Sequence, residues 1–445
     1  MTTQVRERAG QWGRYRAPLV RMHFYAGLLV GPFLLIATVT GLLYAVIPQI
    51  DGAVYRHELT VDHVGSLRLP LSAQIAAARI AHPEGTISSI SPAADPADTT
   101  RVVLSTTAVP QDYSRTVFVD PYTGKVRGAL TTYGEWLPVR AWFDELHRTL
   151  HLGAFGRNYS ELAASWLWVI SLAGLCLWVG QRRRQGQLRR IAIPDPAAPR
   201  RARMSSWHSA VGVWILIGLL GLSVTGLTWS RYAGGHIADL RGSLGWTSPS
   251  VPAALPADSF SGPVDFGTAA DRVLAAATGA GIDGPTWMTP GAAGSAWTVA
   301  ERKRDWPTRY DAIAVDPGSG TIIHRLDFAQ WPWIARITNW AIDAHMGVLF
   351  GIANQIALAA IAVGLIFVIV RGYQMWWRHG PLRSVLARGR PTRNAIAGLD
   401  VRDRAAIIAA AIVIGWFAPL FGLSLAAFVI ADCAIGAWRR TTSKG

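Results

Sequence analysis

The chain has 445 residues, 51% hydrophobic and only 16% charged, with a mean hydropathy of +0.24. Its apolar runs approach the roughly 20 residues that cross a bilayer core, which excludes an ordinary soluble enzyme. The net charge of +15 does not mark a nucleic-acid binder: arginines crowd short segments beside the apolar runs, and 23 of the 28 acidic residues fall in 48–161 and 231–343. Short basic segments flanking spans lie on the cytoplasmic side, so both long stretches are expected outside and both termini inside. Cys176 and Cys433 fall within apolar runs, which excludes a disulfide framework and a cysteine-rich metal site.

In chain order, residues 1–47 read as a basic N-terminus and a first span at 19–47, too long an apolar run for a cleavable signal. Residues 48–159 are an outer domain. Within it, Leu71 to Ala81 has helical spacing and stops at His82-Pro83, and Val117-Phe118-Val119 reads as a strand running into the turn Asp120-Pro121-Tyr122-Thr123-Gly124. A second span at 160–180 returns to an arginine-rich linker, 181–208, and a third at 209–230 leads out again. The second outer domain, 231–340, repeats the helix at Phe266 to Ala277 and the turn at Asp316-Pro317-Gly318-Ser319-Gly320. The segment 341–377 holds the fourth span, apolar from 347 to 370, and 378–404 is a second linker. Two short apolar runs, 405–418 and 421–438, make a C-terminal hairpin before the tail 439–445. The expected fold is a polytopic α-helical membrane protein. Two copies of span, outer α+β domain and returning span build a four-helix core, extended by the hairpin.

The duplication extends to histidines. His23-x3-Gly27 precedes Thr40-Gly41, His208-x3-Gly212 precedes Thr225-Gly226, and the offset from histidine to threonine is 17 in both. Trp142-Phe143-Asp144-Glu145-Leu146-His147-Arg148-Thr149-Leu150-His151-Leu152-Gly153 has a near copy in Trp340-Ala341-Ile342-Asp343-Ala344-His345-Met346-Gly347. Topology places His23 and His208 near the inner face, and His151 and His345 near the outer face. Polar side chains inside spans are costly and usually functional. Four imidazoles at matched depths therefore point to bis-histidine ligation of two b-type haems, one per leaflet, forming an electron path. On helical spacing His147 and His151 share a face. His147 is an alternative outer ligand, with His151 placed first because Leu152-Gly153 parallels Met346-Gly347.

Other features have plainer readings. Gly27, Gly41, Gly174, Gly212, Gly226, Gly347 and Gly364 suit close helix packing or a flat porphyrin. Thr40 and Thr225 can bond back to their own helices, and Trp166, Trp178, Trp376 and Trp377 suit an interfacial belt. Arg148, Arg157, Arg231 and Arg336 are expected to be solvated charges, with propionate anchoring as the alternative. His57, His63, His236 and His324 read as outer surface residues and His379 as an inner one. No phosphate loop, nucleotide fingerprint or nucleophile elbow is present, which excludes a built-in nicotinamide or flavin domain.

Over residues 15–385 these motifs resemble the PepSY-associated transmembrane family, often described as iron-regulated membrane proteins. The resemblance is carried by His23-Phe24-Tyr25-Ala26-Gly27 with Thr40-Gly41, Val119 to Gly124, Leu146 to Gly153, His345 to Gly351 with Asn354-Gln355, and Gly372 to Trp377. It implies an inner-membrane protein with four core spans and two periplasmic PepSY-like domains, similar to haem-containing reductases that release iron from ferric siderophores. The expected partners are a ferric siderophore or other ferric chelate, the bilayer, and a cytoplasmic reductant or quinol. The rival expectation is a non-enzymatic PepSY regulator or accessory protein of iron uptake, which would have no use for four matched imidazoles. A metal permease fits poorly, because the spans lack acidic or Met/Cys relays.

Overall fold

The computed structural model describes residues 3–256, 264–292, 294–378 and 400–442. Contacts divide the chain into two compact units, one of Met1–Leu43, Glu145–Ser243 and Ile356–Gly445, the other of Tyr44–Asp144 and Leu244–Gln355.

The second unit is an α+β body. Helix α1 (Thr3–Ala45) gives way to short helices α2 (Ile47–Val54) and α3 (Arg56–Leu59), then α4 (Leu71–Ala81) runs over the residues its spacing predicts. Strands β1 (Thr86–Ser91), β2 (Thr100–Ser105), β3 (Ser114–Val119) and β4 (Val126–Thr132) follow as an antiparallel meander, with the Asp120–Gly124 turn joining the last two. That turn closes because Asp120 Oδ1 accepts from the Tyr122 amide at 2.8 Å, an Asx turn that lets the chain reverse. Helix α5 (Pro138–Thr149), α6 (Gly153–Arg184), α7 (Arg200–Thr228) and α8 (Ala233–Ser243) intervene before the arrangement recurs. Helix α9 (Phe266–Gly279) precedes β5 (Thr286–Thr289), β6 (Trp297–Glu301), β7 (Ala312–Val315) and β8 (Ile322–Leu326). The strands form one eight-stranded sheet, β4-β3-β2-β1-β5-β6-β7-β8, in which the meanders meet antiparallel at Ile90 and Met288. Helices α4 and α9 lie together with one sheet face, so Ile75, Ala78, Val273 and Ala277 share a core with Ile90, Val102, Val117, Met288, Val299 and Ile313.

Within α2, Asp51 is 7% exposed and its Oδ1 has no hydrogen-bond partner. Burial raises its pKa to about 6 against the opposing Arg140 and Arg101 charges. A carboxyl whose folded value lies above its unfolded one is stabilising when protonated, and that contribution is lost as pH rises through the folded value. Asp51→Asn is therefore expected to raise the thermal midpoint at about pH 8 and to leave it unchanged near pH 4.

In the helical unit, Pro18–Ala45 of α1, α6, α7 and α11 (Gly351–Arg378) are long and apolar enough to cross a membrane. The C-terminal hairpin consists of Val401–Phe417 and Pro419–Thr442, broken where the sequence places Pro419. Its apolar stretches fall short of the length of the other four. The hairpin packs on α6: Trp166 Nε1 donates to Ser424 Oγ at 2.9 Å and its ring lies against Phe421. Trp166 and Trp178 are thus buried within the protein rather than forming an interfacial belt, Trp178 donating to the Ile191 carbonyl beneath Arg182. His236, expected at the outer surface, is half-buried against the C-terminal hairpin. It stacks on Trp416, ring centres 5.1 Å apart, and its Nδ1 lies 3.0 Å from the Phe417 carbonyl. Glu161, buried on α6, accepts from the Tyr232 and Ala233 amides at 2.9 and 3.0 Å and so caps the start of α8, satisfying amides that the helix itself leaves open.

Candidate functional site

His23 stands within α1, and its Nδ1 lies 2.9 Å from the Ile170 carbonyl of α6. A carbonyl oxygen only accepts, so Nδ1 carries the proton and Nε2 holds the lone pair that a metal would take. His208 on α7 repeats this with the Val368 carbonyl of α11, also at 2.9 Å. Four residues beyond each carbonyl stands a glycine facing the same ring: a Cβ at Gly174 would lie 2.8 Å from His23 Cε1, and one at Gly372 would lie 3.7 Å from His208 Cε1. Each imidazole thus sits in a notch made by a helix carbonyl and, one turn on, a missing side chain.

The two rings lie nearly perpendicular, edge to face, with centres 6.2 Å apart and planes at 84°. Iron–nitrogen bonds of roughly 2 Å on each side, plus ~1 Å from nitrogen to ring centre, sum to about 6 Å. The separation of the centres is the one that a single iron bound by both rings would need. Gly27 and Gly212, each four residues after its histidine, have no atom within 4 Å of where a Cβ would stand. A flat macrocycle needs such bare backbone beside its ligands. Two imidazoles are too few for a bare zinc ion, and among the described residues no group of three or more His, Cys, Asp or Glu gathers as a metal site.

Further along α1, the Thr40 hydroxyl bonds back to the Ile36 and Ala37 carbonyls at 3.0 and 3.1 Å. Thr225 does the same with Gly221 and Leu222 at 2.8 and 3.3 Å. With its proton engaged, the Thr40 oxygen accepts from His147 Nδ1 at 2.9 Å, again leaving Nε2 for a ligand. A Cβ at Gly41 would stand 3.2 Å from His147 Cε1. Burial pushes the His147 imidazole down to about 4, against a smaller opposing effect of the Ala37 carbonyl, so the ring is neutral at physiological pH.

His151 is placed differently from the expectation of a shared helix face. Helix α5 ends at Thr149, Leu150 and His151 both have φ of 54°, and Gly153 starts α6 at 55°. The Thr149 carbonyl accepts from the Leu152 amide at 2.9 Å and would come within 1.6 Å of a Cβ at Gly156, so only glycine allows the two helices to join this closely. His151 is exposed on that turn. His345 does not open α11. It ends a separate helix, α10 (Trp333–His345), and the turn after it leads to Gly351. His147 and His345 each lie five residues after a tryptophan, near the end of a short helix that precedes a long apolar one. The counterpart of His345 in element order is therefore His147, not His151.

Arg157 Nη2 reaches across from α6 to the Trp229 carbonyl after α7 at 3.2 Å, and Arg231 lies over the neighbouring Tyr232 ring. His63 and His324 are exposed, His57 contacts Arg127, and His379 and the Cys433 side chain lie outside the described residues. Sequence reasoning did not find the Ile170 and Val368 carbonyls, since a backbone acceptor leaves no mark of residue type. The one available signal was the pair Gly174 and Gly372 in the returning spans.

The family model described as PepSY-associated TM region matches residues 20–379. That stretch contains His23, His147, His151, His208 and His345 and stops short of the C-terminal hairpin. No curated protein matches the chain significantly.

Proposed function

The chain belongs to the PepSY-associated transmembrane family, and from that premise we propose that it is a b-type haem electron-transfer protein, a ferric-siderophore or ferric-chelate reductase of the bacterial inner membrane. The observation that carries the reading is the His23–His208 pair, with ring centres 6.2 Å apart and both Nδ1 atoms committed to helix carbonyls. Bound haem supplies a one-electron carrier whose potential is set by its axial ligands and surroundings. His23 and His208 would hold the inner group. Ile170 and Val368 fix the tautomer and orientation of the rings, as outer partners of metal-bound histidines do. His147, half-buried and bonded to Thr40, would be the outer candidate in the helical unit, His345 is its counterpart in the other unit, and His151 is third in order.

In this reading the termini are cytoplasmic, the α+β unit is periplasmic, and a cytoplasmic reductant or quinol supplies the electrons. Ferric iron in the chelate takes one electron and becomes ferrous. Hard oxygen donors hold ferrous iron less tightly, so release follows without a general acid from the protein.

The test is a visible spectrum of detergent-purified protein, oxidised and dithionite-reduced, with haem counted per chain, alongside trapping of ferrous iron from a ferric hydroxamate. Sharp reduced b-type bands at about two haems per chain are expected. Well-folded protein from haem-replete cells that carries no haem would overturn the reading and favour the regulator.

The glycine notches give a finer test. Gly174→Ala puts a methyl group 2.8 Å from His23 Cε1, whereas Gly372→Ala puts one at an ordinary 3.7 Å from His208. The first is expected to displace the His23 ring and shift or broaden the reduced haem bands. The second leaves them as in the wild type. Equal spectra for the two variants would contradict the notch geometry.

A further inference from the structure

A cavity of about 420 Å³ opens at the end of the helical unit where α7 begins and α11 ends, lined by Arg200, Arg201, Met204, Met375 and Arg378. This volume lies within the range of about 300–1,000 Å³ usual for small-ligand sites. Three arginines from two helices line it, and no carboxylate is found in its lining among the described residues. Arg378 reaches from α11 towards α7, its Nη1 3.4 Å from the buried Met204 Sδ. One wall is thus thioether and alkyl, and the rim is cationic. Met204 lies one turn before His208, and Met375 lies three residues after Gly372.

We propose that this cavity binds a phosphate-bearing anion. Arginine forks present paired N–H donors to phosphate oxygens, and three from two helices can surround a tetrahedral group that a lone surface arginine cannot hold. Basic pockets between membrane helices take phospholipid headgroups in this way, and the methionine wall suits the first carbons of a lipid. A soluble phosphate compound offers the same oxygens without the apolar part. The proposal needs neither the haem nor the reductase activity.

The experiment measures the thermal midpoint of the full-length protein in nanodiscs of phosphatidylcholine alone, in nanodiscs with added phosphatidylglycerol, and in the first with added pyrophosphate. Wild type is compared with a variant carrying Arg200→Gln, Arg201→Gln and Arg378→Gln. A control carries Arg183→Gln, Arg189→Gln and Arg190→Gln, which removes the same charge from exposed positions on the linker side. Stabilisation by phosphatidylglycerol alone, at least tenfold weaker in half-effect concentration for the cavity variant and retained by the control, supports a lipid source. The same pattern with pyrophosphate supports a soluble one. No stabilisation by either anion, or an equal loss in both variants, overturns the proposal.

Discussion

Replacing His208 with alanine is expected to lower haem content from about two per chain to about one and to cut ferric-chelate reduction by at least two orders of magnitude. The His23 and His208 ring centres are 6.2 Å apart, so removing either would leave one imidazole for the proposed group. The same loss is expected for His23→Ala. His147→Ala, altering a different ring on the same helical unit, is expected to spare that haem and affect the other. A merely structural histidine would give another pattern. Its alanine variant would lower thermal stability while haem per folded chain stayed constant. His208→Met separates the two further, because a thioether can still ligate iron and raises its potential. Haem retained with a more positive midpoint identifies His208 as a ligand. Unchanged haem content, bands and potential in all these variants would remove His208 from the site.

The site was legible in the sequence wherever an unusual residue type stood in an apolar run. His23 and His208 announced themselves because an imidazole in a span is costly, and the repeated spacing to Thr40 and Thr225 tied them together. The Asp120 and Asp316 turns and the helix from Leu71 to Ala81 were legible for equally local reasons, since turn chemistry and stop signals act within a few residues. The break between α5 and α6 was not. Leu150 and His151 take left-handed backbone without a glycine to mark it, and helical spacing therefore put His151 on a face that does not exist. Trp166 and His236 were misread because their partners, Ser424 and Trp416, lie 258 and 180 residues away in a hairpin whose packing no local pattern reveals. Glu161 was passed over because a capping carboxylate resembles any other until the amides it serves are located.

Asp343→Ala is expected to lower the thermal midpoint of the α+β unit by about 6–12 °C, through a loss of about 3 kcal/mol. Asp343 is 1% exposed; its carboxylate takes Arg304 Nε at 2.7 Å and the Tyr310 hydroxyl. Arg304 also reaches Glu135 at 3.1 Å and Met346 Sδ at 3.1 Å. Removing one partner from a buried ion pair strands the other charge, which costs more than the pair contributes when whole. Tyr310→Phe deletes a single hydrogen bond and is expected to cost only about 1 kcal/mol. The network also sets the turn after α10. The Asp343 carbonyl accepts from the Val348 and Leu349 amides at 2.9 and 3.2 Å, and Asn354 Nδ2 donates to the Ala344 carbonyl at 2.8 Å. Because His345 sits between these anchors, Asp343→Ala is also expected to speed amide exchange across 345–350 and to disturb the haem that His345 is proposed to ligate. Wild-type exchange there, together with an unchanged midpoint, would show that Arg304 is satisfied by Glu135 alone and that the carboxylate does not hold the turn.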